Sequence, residues 1–247
     1  MKRAAVAVAA VVGLLFFTRD AHAFELGTPE TKSPYRSAQN FALEIRVSPY
    51  YPQIDEEPGL QGQPFKTSFG ASPRMFLGLE LDWQFWRIPG VGTIGPGLGV
   101  GFVSMSRTAR TVSGRESGDE YGLSIYPLYL AAVLRIDTLW RSFGFPLMPY
   151  GKAGVGVGLW EASDATGTAR FGGVKGSGAS TGTHAAVGVA LPLDFFDRGA
   201  SRTMDATTGI NTTSIYLEYY WLSLNGFGGD SFRVGTSTWA AGMVFEF

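Results

Sequence analysis

The chain has no cysteine in 247 residues. That absence excludes disulfides, thiolate metal sites, cysteine nucleophiles and lipoprotein acylation. Histidine is nearly missing too, with two in the chain, and charged residues make up only 17%. No basic surplus exists that would draw nucleic acid. Beyond the N-terminal segment no stretch offers some 18 consecutive apolar residues, so a helical membrane protein is excluded.

What the chain does have is glycine, 34 residues of it, alongside 14% aromatics. High values of both favour many turns and aromatic-flanked strands over an α/β enzyme. The N-terminus has the layout of a secretory signal peptide. Met1-Lys2-Arg3 is a basic start, Ala4 to Phe17 an apolar run, and Ala21-His22-Ala23 an A-x-A cleavage site. The run is too short for a retained membrane anchor, the alternative reading, which needs roughly 18 to 20 apolar residues. Two segments are therefore expected, a cleavable signal peptide over 1–23 and a single β-barrel domain over 24–247. Taking Lys2, Arg3 and Arg19 from 20 basic residues, and Asp20 from 21 acidic ones, leaves 17 and 20, a net of −3.

The last nine residues, W-A-A-G-M-V-F-E-F from Trp239 to Phe247, put Trp239, Ala241, Met243, Phe245 and Phe247 on one face of a strand. Seven earlier segments alternate in the same way. Phe41, Leu43, Ile45 and Val47 oppose Glu44 and Arg46. Met75, Leu77, Leu79, Leu81, Trp83 and Phe85 oppose Glu80 and Asp82. Further segments span Ile94 to Met105, Leu123 to Ile136, Tyr150 to Trp160, His184 to Asp194 and Ser214 to Leu222. A charge in the middle of an apolar strand costs kilocalories against lipid, so the charged faces belong inside and the apolar faces outside. The fold class expected is all-β, an eight-stranded antiparallel transmembrane barrel of the outer-membrane type. A soluble barrel or sandwich would need the charged faces in water and leaves the aromatic ending without a role.

Connections alternate in character. Tyr51 to Pro73, Thr108 to Tyr121, Glu161 to Gly182 and Ser223 to Phe232 are long or polar and are expected outside the cell. Arg87 to Thr93, Thr138 to Pro149 and Phe195 to Thr213 are expected in the periplasm with both termini. The last is long, and a short helix is expected within it between strands six and seven.

Four segments carry a family resemblance: L-R-I-D-T-L-W from Leu134, M-P-Y-G-K-A-G-V-G from Met148, L-P-L-D-F-F-D from Leu191 and I-Y-L-E-Y from Ile215. Together they resemble a family of outer-membrane β-barrel proteins of myxobacteria, and more loosely the small eight-stranded OmpA, OmpX and OmpW barrels. These are packing and turn motifs without catalytic content. The resemblance implies a Gram-negative outer-membrane location, with structural anchors, adhesion-related proteins and carriers of small hydrophobic molecules among the broader family.

Candidate chemistry is sparse. The inward charges Glu44, Arg46, Glu80, Asp82, Arg135, Lys152 and Glu218 are expected to form a salt-bridged plug, the alternative being an ion path or substrate lumen. Gly95, Gly97, Gly99, Gly101, Gly154, Gly156 and Gly158 alternate strictly, unlike a dinucleotide loop. They leave room for inward groups such as Tyr129 and Trp160, or else an open lumen for a narrow porin-like channel or carrier. His184 is drawn on an inward face near the outer rim. Small barrels that modify lipid A use a histidine with a serine and a carboxylate, but no H-x-S pair accompanies His184. Asp55-Glu56-Glu57 reads as a solvated acidic loop, with divalent-cation binding as the alternative. Asn211-Thr212-Thr213 matches a glycosylation sequon without meaning in a bacterial chain.

No catalytic, metal or cofactor residue is therefore assigned, and no enzyme activity is expected. The expected partners are outer-membrane lipid, lipopolysaccharide, and the assembly machinery through the strand ending at Phe247. No nucleic acid partner is expected, and the barrel is expected to be a monomer. Export should remove 1–23, so N-terminal sequencing of the secreted protein is expected to begin at Phe24. A mature protein that begins at Met1 would end the signal-peptide reading.

Overall fold

The computed structural model describes residues 39–110, 116–229 and 231–247. The signal-peptide segment lies outside them. Eight long strands form the wall: β1 Phe41–Tyr50, β2 Arg74–Trp83, β3 Gly92–Arg110, β4 Glu116–Ile136, β5 Met148–Asp164, β6 Ser177–Pro192, β7 Thr212–Leu224 and β8 Thr236–Glu246. Each pairs antiparallel with its sequence neighbour, and β1 pairs with β8. The sheet is a closed eight-stranded antiparallel barrel, so no long edge is left open.

The alternation of the sequence becomes the two faces of the wall. Ile45, Val47, Leu77, Leu79, Leu98, Leu130, Val155, Val187, Val189, Ile215 and Leu217 all point outward and are exposed. Glu44, Arg46, Glu80, Asp82, Arg135, Lys152 and Glu218 all point inward and are buried. Aromatic residues bound the apolar band on both sides. At the end where the chain enters and leaves the barrel, Phe41 stacks on Phe247 at 6.1 Å and Trp83 meets Phe85 at 4.9 Å. At the other end Phe102 meets Tyr126 at 5.1 Å and Tyr219 meets Trp239 at 5.2 Å. An apolar band between two aromatic girdles is the exterior that a bilayer selects.

Several boundaries differ from the sequence expectation. β3 runs to Arg110 and β4 starts at Glu116, so most of the expected Thr108-to-Tyr121 loop is a strand hairpin standing beyond the girdle. Its register slips between Thr108 and Arg110. Polar residues such as Ser104, Ser106 and Thr108 alternate poorly in hydropathy, which hid the extension. β5 likewise runs past both its expected ends, and β6 opens at Ser177, seven residues before His184, and closes at Pro192, short of Asp194. The connection after β6 contains the expected helix, α3 (Arg198–Thr208) in chain order after α1 (Pro64–Phe69) and α2 (Thr138–Phe143). The first two were not foreseen: each covers only six residues, too few to show a helical period.

Leu130 is 54% exposed at the middle of the band. Leu130→Arg is expected to lower folding free energy in vesicles by about 2–4 kcal/mol, and Ser106→Arg beyond the girdle by about 0–1 kcal/mol. Urea titration in lipid vesicles measures both.

Candidate functional site

The interior is built in layers. Nearest the termini, Ala42, Met148, Tyr150, Ala190, Tyr216 and Val244 pack together. At the far end an apolar core of Tyr50, Phe76, Val103, Ile125, Tyr220 and Leu222 fills the lumen, joined by Ile54 and Phe65 from the first connection and Val234 from the last. The charged layer lies beside that core and interleaves with the termini-side cluster, Ala42 being in register with Glu246 and Asp82, and Tyr150 with Arg135.

That layer has three cations. Arg135 on β4 donates to Glu246 Oε1 at 2.8 Å, Glu44 Oε1 at 2.9 Å and Asp82 Oδ2 at 3.0 Å. Lys152 on β5 donates to Glu44 Oε2 at 2.6 Å and Glu80 Oε2 at 2.9 Å, with Glu218 Oε2 at 3.8 Å. Arg46 on β1 donates to Glu80 Oε2 at 2.9 Å, and its Nη2 lies 2.8 Å from Glu218 Oε1, at ion-pair distance without hydrogen-bond alignment. Phenols complete the set: Tyr129 donates to Glu80 at 2.6 Å and Tyr150 to Glu218 at 2.9 Å. The Arg46 guanidinium also lies over the Tyr129 and Tyr220 rings, 5.5 and 5.4 Å from their centroids.

All seven inward charges singled out from the sequence thus meet in one network, and Glu246 joins them. Five carboxylates face three cations, so the layer carries an acidic excess. Glu80 Oε1 and Asp82 Oδ1 have no hydrogen-bond partner among the described residues. Both converge on the inward face of Gly97, where a Cβ would stand 2.4 Å from Asp82 Oδ1 and 3.0 Å from Glu80 Oε1.

The other glycines of β3 serve the same purpose. A Cβ on Gly99 would meet the Tyr129 ring at 2.1 Å, and one on Gly101 the Phe76 ring at 2.0 Å. On β5, Gly158 makes room for Leu224 and Val234. Trp160 is inward as expected and packs on Phe232 at 4.7 Å. Gly97, Gly99, Gly101 and Gly158 are therefore seats for side chains, whereas a Cβ on Gly95 or Gly154 would meet the Trp83 or Leu130 carbonyl of a neighbouring strand. The interior cavity beside Asp82, Gln84, Thr93 and Arg135 is about 10 Å³, room for about one water.

His184 needs a correction. Because β6 starts at Ser177, the imidazole lies in the charged layer and not near the rim. It is 1% exposed and stacks on Tyr129 with centroids 4.0 Å apart and planes within 5°. Neither ring nitrogen has a partner among the described residues, so no serine or carboxylate is aligned with it. Nucleophilic catalysis needs such alignment.

Glu44, Glu80 and Asp82 each bring one oxygen within 4.8 Å of the others, a metal-sized grouping. Arg135 and Lys152 already supply positive charge at that point. Asp55 is likewise occupied: its two oxygens accept from Phe65 N–H at 2.8 Å and Lys66 N–H at 2.9 Å, capping α1. Asn211-Thr212-Thr213 is buried, with Asn211 N–H donating to Glu246 C=O at 2.7 Å and both threonines paired in β7.

Fold and interior together define a class, a closed eight-stranded barrel with an apolar exterior and a filled, ionic interior. No protein-family model and no curated protein sequence matches the chain. The resemblance to a myxobacterial family therefore rests on the four quoted segments alone. Among solved structures the chain is similar to Ail, the attachment invasion locus protein of Yersinia pestis, in complex with the heparin analogue sucrose octasulfate. That match has 14% identity over 85% of this chain and 97% of that one, with a TM-score of 0.40. It is similar also to the N-terminal β-barrel domain of Pseudomonas aeruginosa OprF, at 13% identity over 85% of this chain and 100% of that one, TM-score 0.35. The outer membrane protein AlkL matches at 14% identity over 90% and 93%, TM-score 0.29. At these values the likeness carries nothing about activity or partners.

Removing one member of a buried ion network strands the rest, at about 3–5 kcal/mol. Lys152→Met is expected to destabilise the barrel by that amount. Asp82→Asn, which trims the acidic excess and leaves Arg135 with Glu44 and Glu246, is expected to change stability by about 1 kcal/mol or less. Unfolding followed by tryptophan fluorescence separates the two; equal losses would contradict the network as drawn.

Proposed function

We propose that this chain is a bacterial outer-membrane barrel protein with a structural or surface-interaction role and no catalytic activity. The observation that carries the reading is the combination of exterior and interior. Outside, an apolar band lies between two aromatic girdles. Inside, every layer is packed with side chains, so the barrel presents lipid with a greasy wall and offers solutes no path among the described residues. A leader of secretory type at 1–23 supports export, and the strand ending at Phe247 supports recognition by the outer-membrane assembly machinery. The termini end then faces the periplasm, and the long β3–β4 hairpin with the first and last connections faces outward, toward lipopolysaccharide or the environment. The barrel is a monomer in this reading, and its closed sheet leaves no long strand edge for pairing with a second copy. Catalysis is not part of this reading because the one mature histidine, His184, is buried without a nucleophile.

Planar-bilayer recording with the folded protein tests the filled interior, and no current above background is expected. A steady conductance would replace this reading with the channel. Lipid A acylation in a producing strain is expected to be the same with His184→Ala as with the wild type.

A further inference from the structure

The first and last strands meet along a ladder shorter than those beside it. Register between β1 and β8 runs from Ala42↔Glu246 to Val47↔Ala241 and stops. β1 continues against β2 to Tyr50↔Arg74, and β8 continues against β7 to Leu222↔Thr236. Pro49 has no N–H to give to a ladder, which confines proline to edges and interruptions of sheets. Beyond the break the two segments rejoin, with Gln53 N–H donating to Gly235 C=O at 2.9 Å and the Tyr50 hydroxyl to Val234 C=O. A slit remains between Ser48–Pro49 and Trp239–Ala240.

A groove of about 450 Å³ lies over this slit on the outer face. Trp239 and Met75, 58% and 68% exposed, border it, and Val47 and Ala241 lie along it. It does not lead inward: Tyr50 and Ala240 are buried behind it, and the Ser48 and Tyr220 hydroxyls bond across at 2.9 Å. Arg74 lies at its head. The Arg74 guanidinium donates to the Ser72 carbonyl at 3.1 Å and the Phe69 carbonyl at 3.2 Å, and no carboxylate among the described residues pairs with it. Arg107 comes to the same turn, its Nη2 3.4 Å from where a Cβ on Gly70 would stand, also with no carboxylate partner among the described residues.

The Arg74 guanidinium, with no carboxylate partner among the described residues, stands where the apolar groove ends, and the β1–β8 ladder is interrupted beside it. An occupant with an acyl chain and an anionic head answers both conditions, and guanidinium is the side chain best matched to phosphate. We infer that the seam groove binds an acylated lipid of the surrounding leaflet whose phosphate headgroup carries net negative charge, chain along Met75, Val47 and Trp239, phosphate on Arg74. The inference rests on the outer-membrane reading, under which that lipid is lipid A.

Native mass spectrometry of the full-length mature protein, folded in detergent with diphosphorylated lipid A or phosphatidylcholine, tests it. Wild type is expected to retain one lipid A in preference to phosphatidylcholine. Arg74→Glu is expected to weaken retention about tenfold or more, the worth of a charge-assisted contact. Ala241→Trp, which fills the groove, is expected to abolish it, and Ala132→Trp on the outward face of β4 to leave it intact. Equal retention by wild type, Arg74→Glu and Ala241→Trp would overturn the site, as would equal retention of the two lipids. A dimer that Ala241→Trp dissolves would overturn it in favour of a second copy. A barrel that inserts into vesicles yet binds no lipid A defeats this inference alone, whereas a protein that never inserts defeats the outer-membrane reading as well.

Discussion

Lys152 sits where the barrel is most demanding. Its ammonium is buried and is held by Glu44 on β1 and Glu80 on β2, with Glu218 on β7 further off. Arg135 repeats the arrangement one level nearer the termini, joining β4 to β1, β2 and β8. Where water is excluded, each buried cation needs carboxylates placed against it. The network thus ties together strands far apart in the chain. Replacing it wholesale with apolar residues need not weaken the barrel, but removing one member does. What the ions contribute is a single way for the strands to close.

Everything else in the interior accommodates that layer. At the level of the charges β3 supplies Gly97, Gly99 and Gly101, and the space they leave takes Glu80, Asp82, Tyr129 and Phe76. The tyrosines bridge phenol to carboxylate and place ring faces against guanidinium, so that the ionic layer grades into the aromatic core above it. Loop residues Ile54, Phe65 and Val234 then finish that core from outside the wall. A barrel filled in this way keeps its opportunities for interaction on its outer face and its far-end connections. The seam between β1 and β8 is one place among the described residues where the wall is interrupted, and Pro49 supplies the chemical reason.

The inverted alternation was legible in the residues from the start. Glu80 and Asp82 between Leu79, Leu81 and Trp83 allow one solution in lipid, and the same rule gave Glu246 its inward place. It was legible because a strand's period of two is local and needs no partner. The lengths of β3, β4 and β6 were not, since the added ends, 106–110, 116–122 and 177–183, are mostly polar or small and carry no apolar stripe. His184 was misplaced for the same reason: its depth follows from where β6 begins, and Ser177 to Thr183 carry no hydropathy pattern.

Sequence alone, then, determined the class of wall, the eight strands and the direction of every charged face. These follow from residue type and spacing along one strand. Tertiary structure alone decided which carboxylate meets which cation, that Glu80 and Asp82 each keep a free oxygen at Gly97, and that Arg74 and Arg107 come to one turn. It also decided that the β1–β8 ladder stops at Val47. Those are distances between strands remote in the chain, set by register and barrel closure, and no local pattern encodes them.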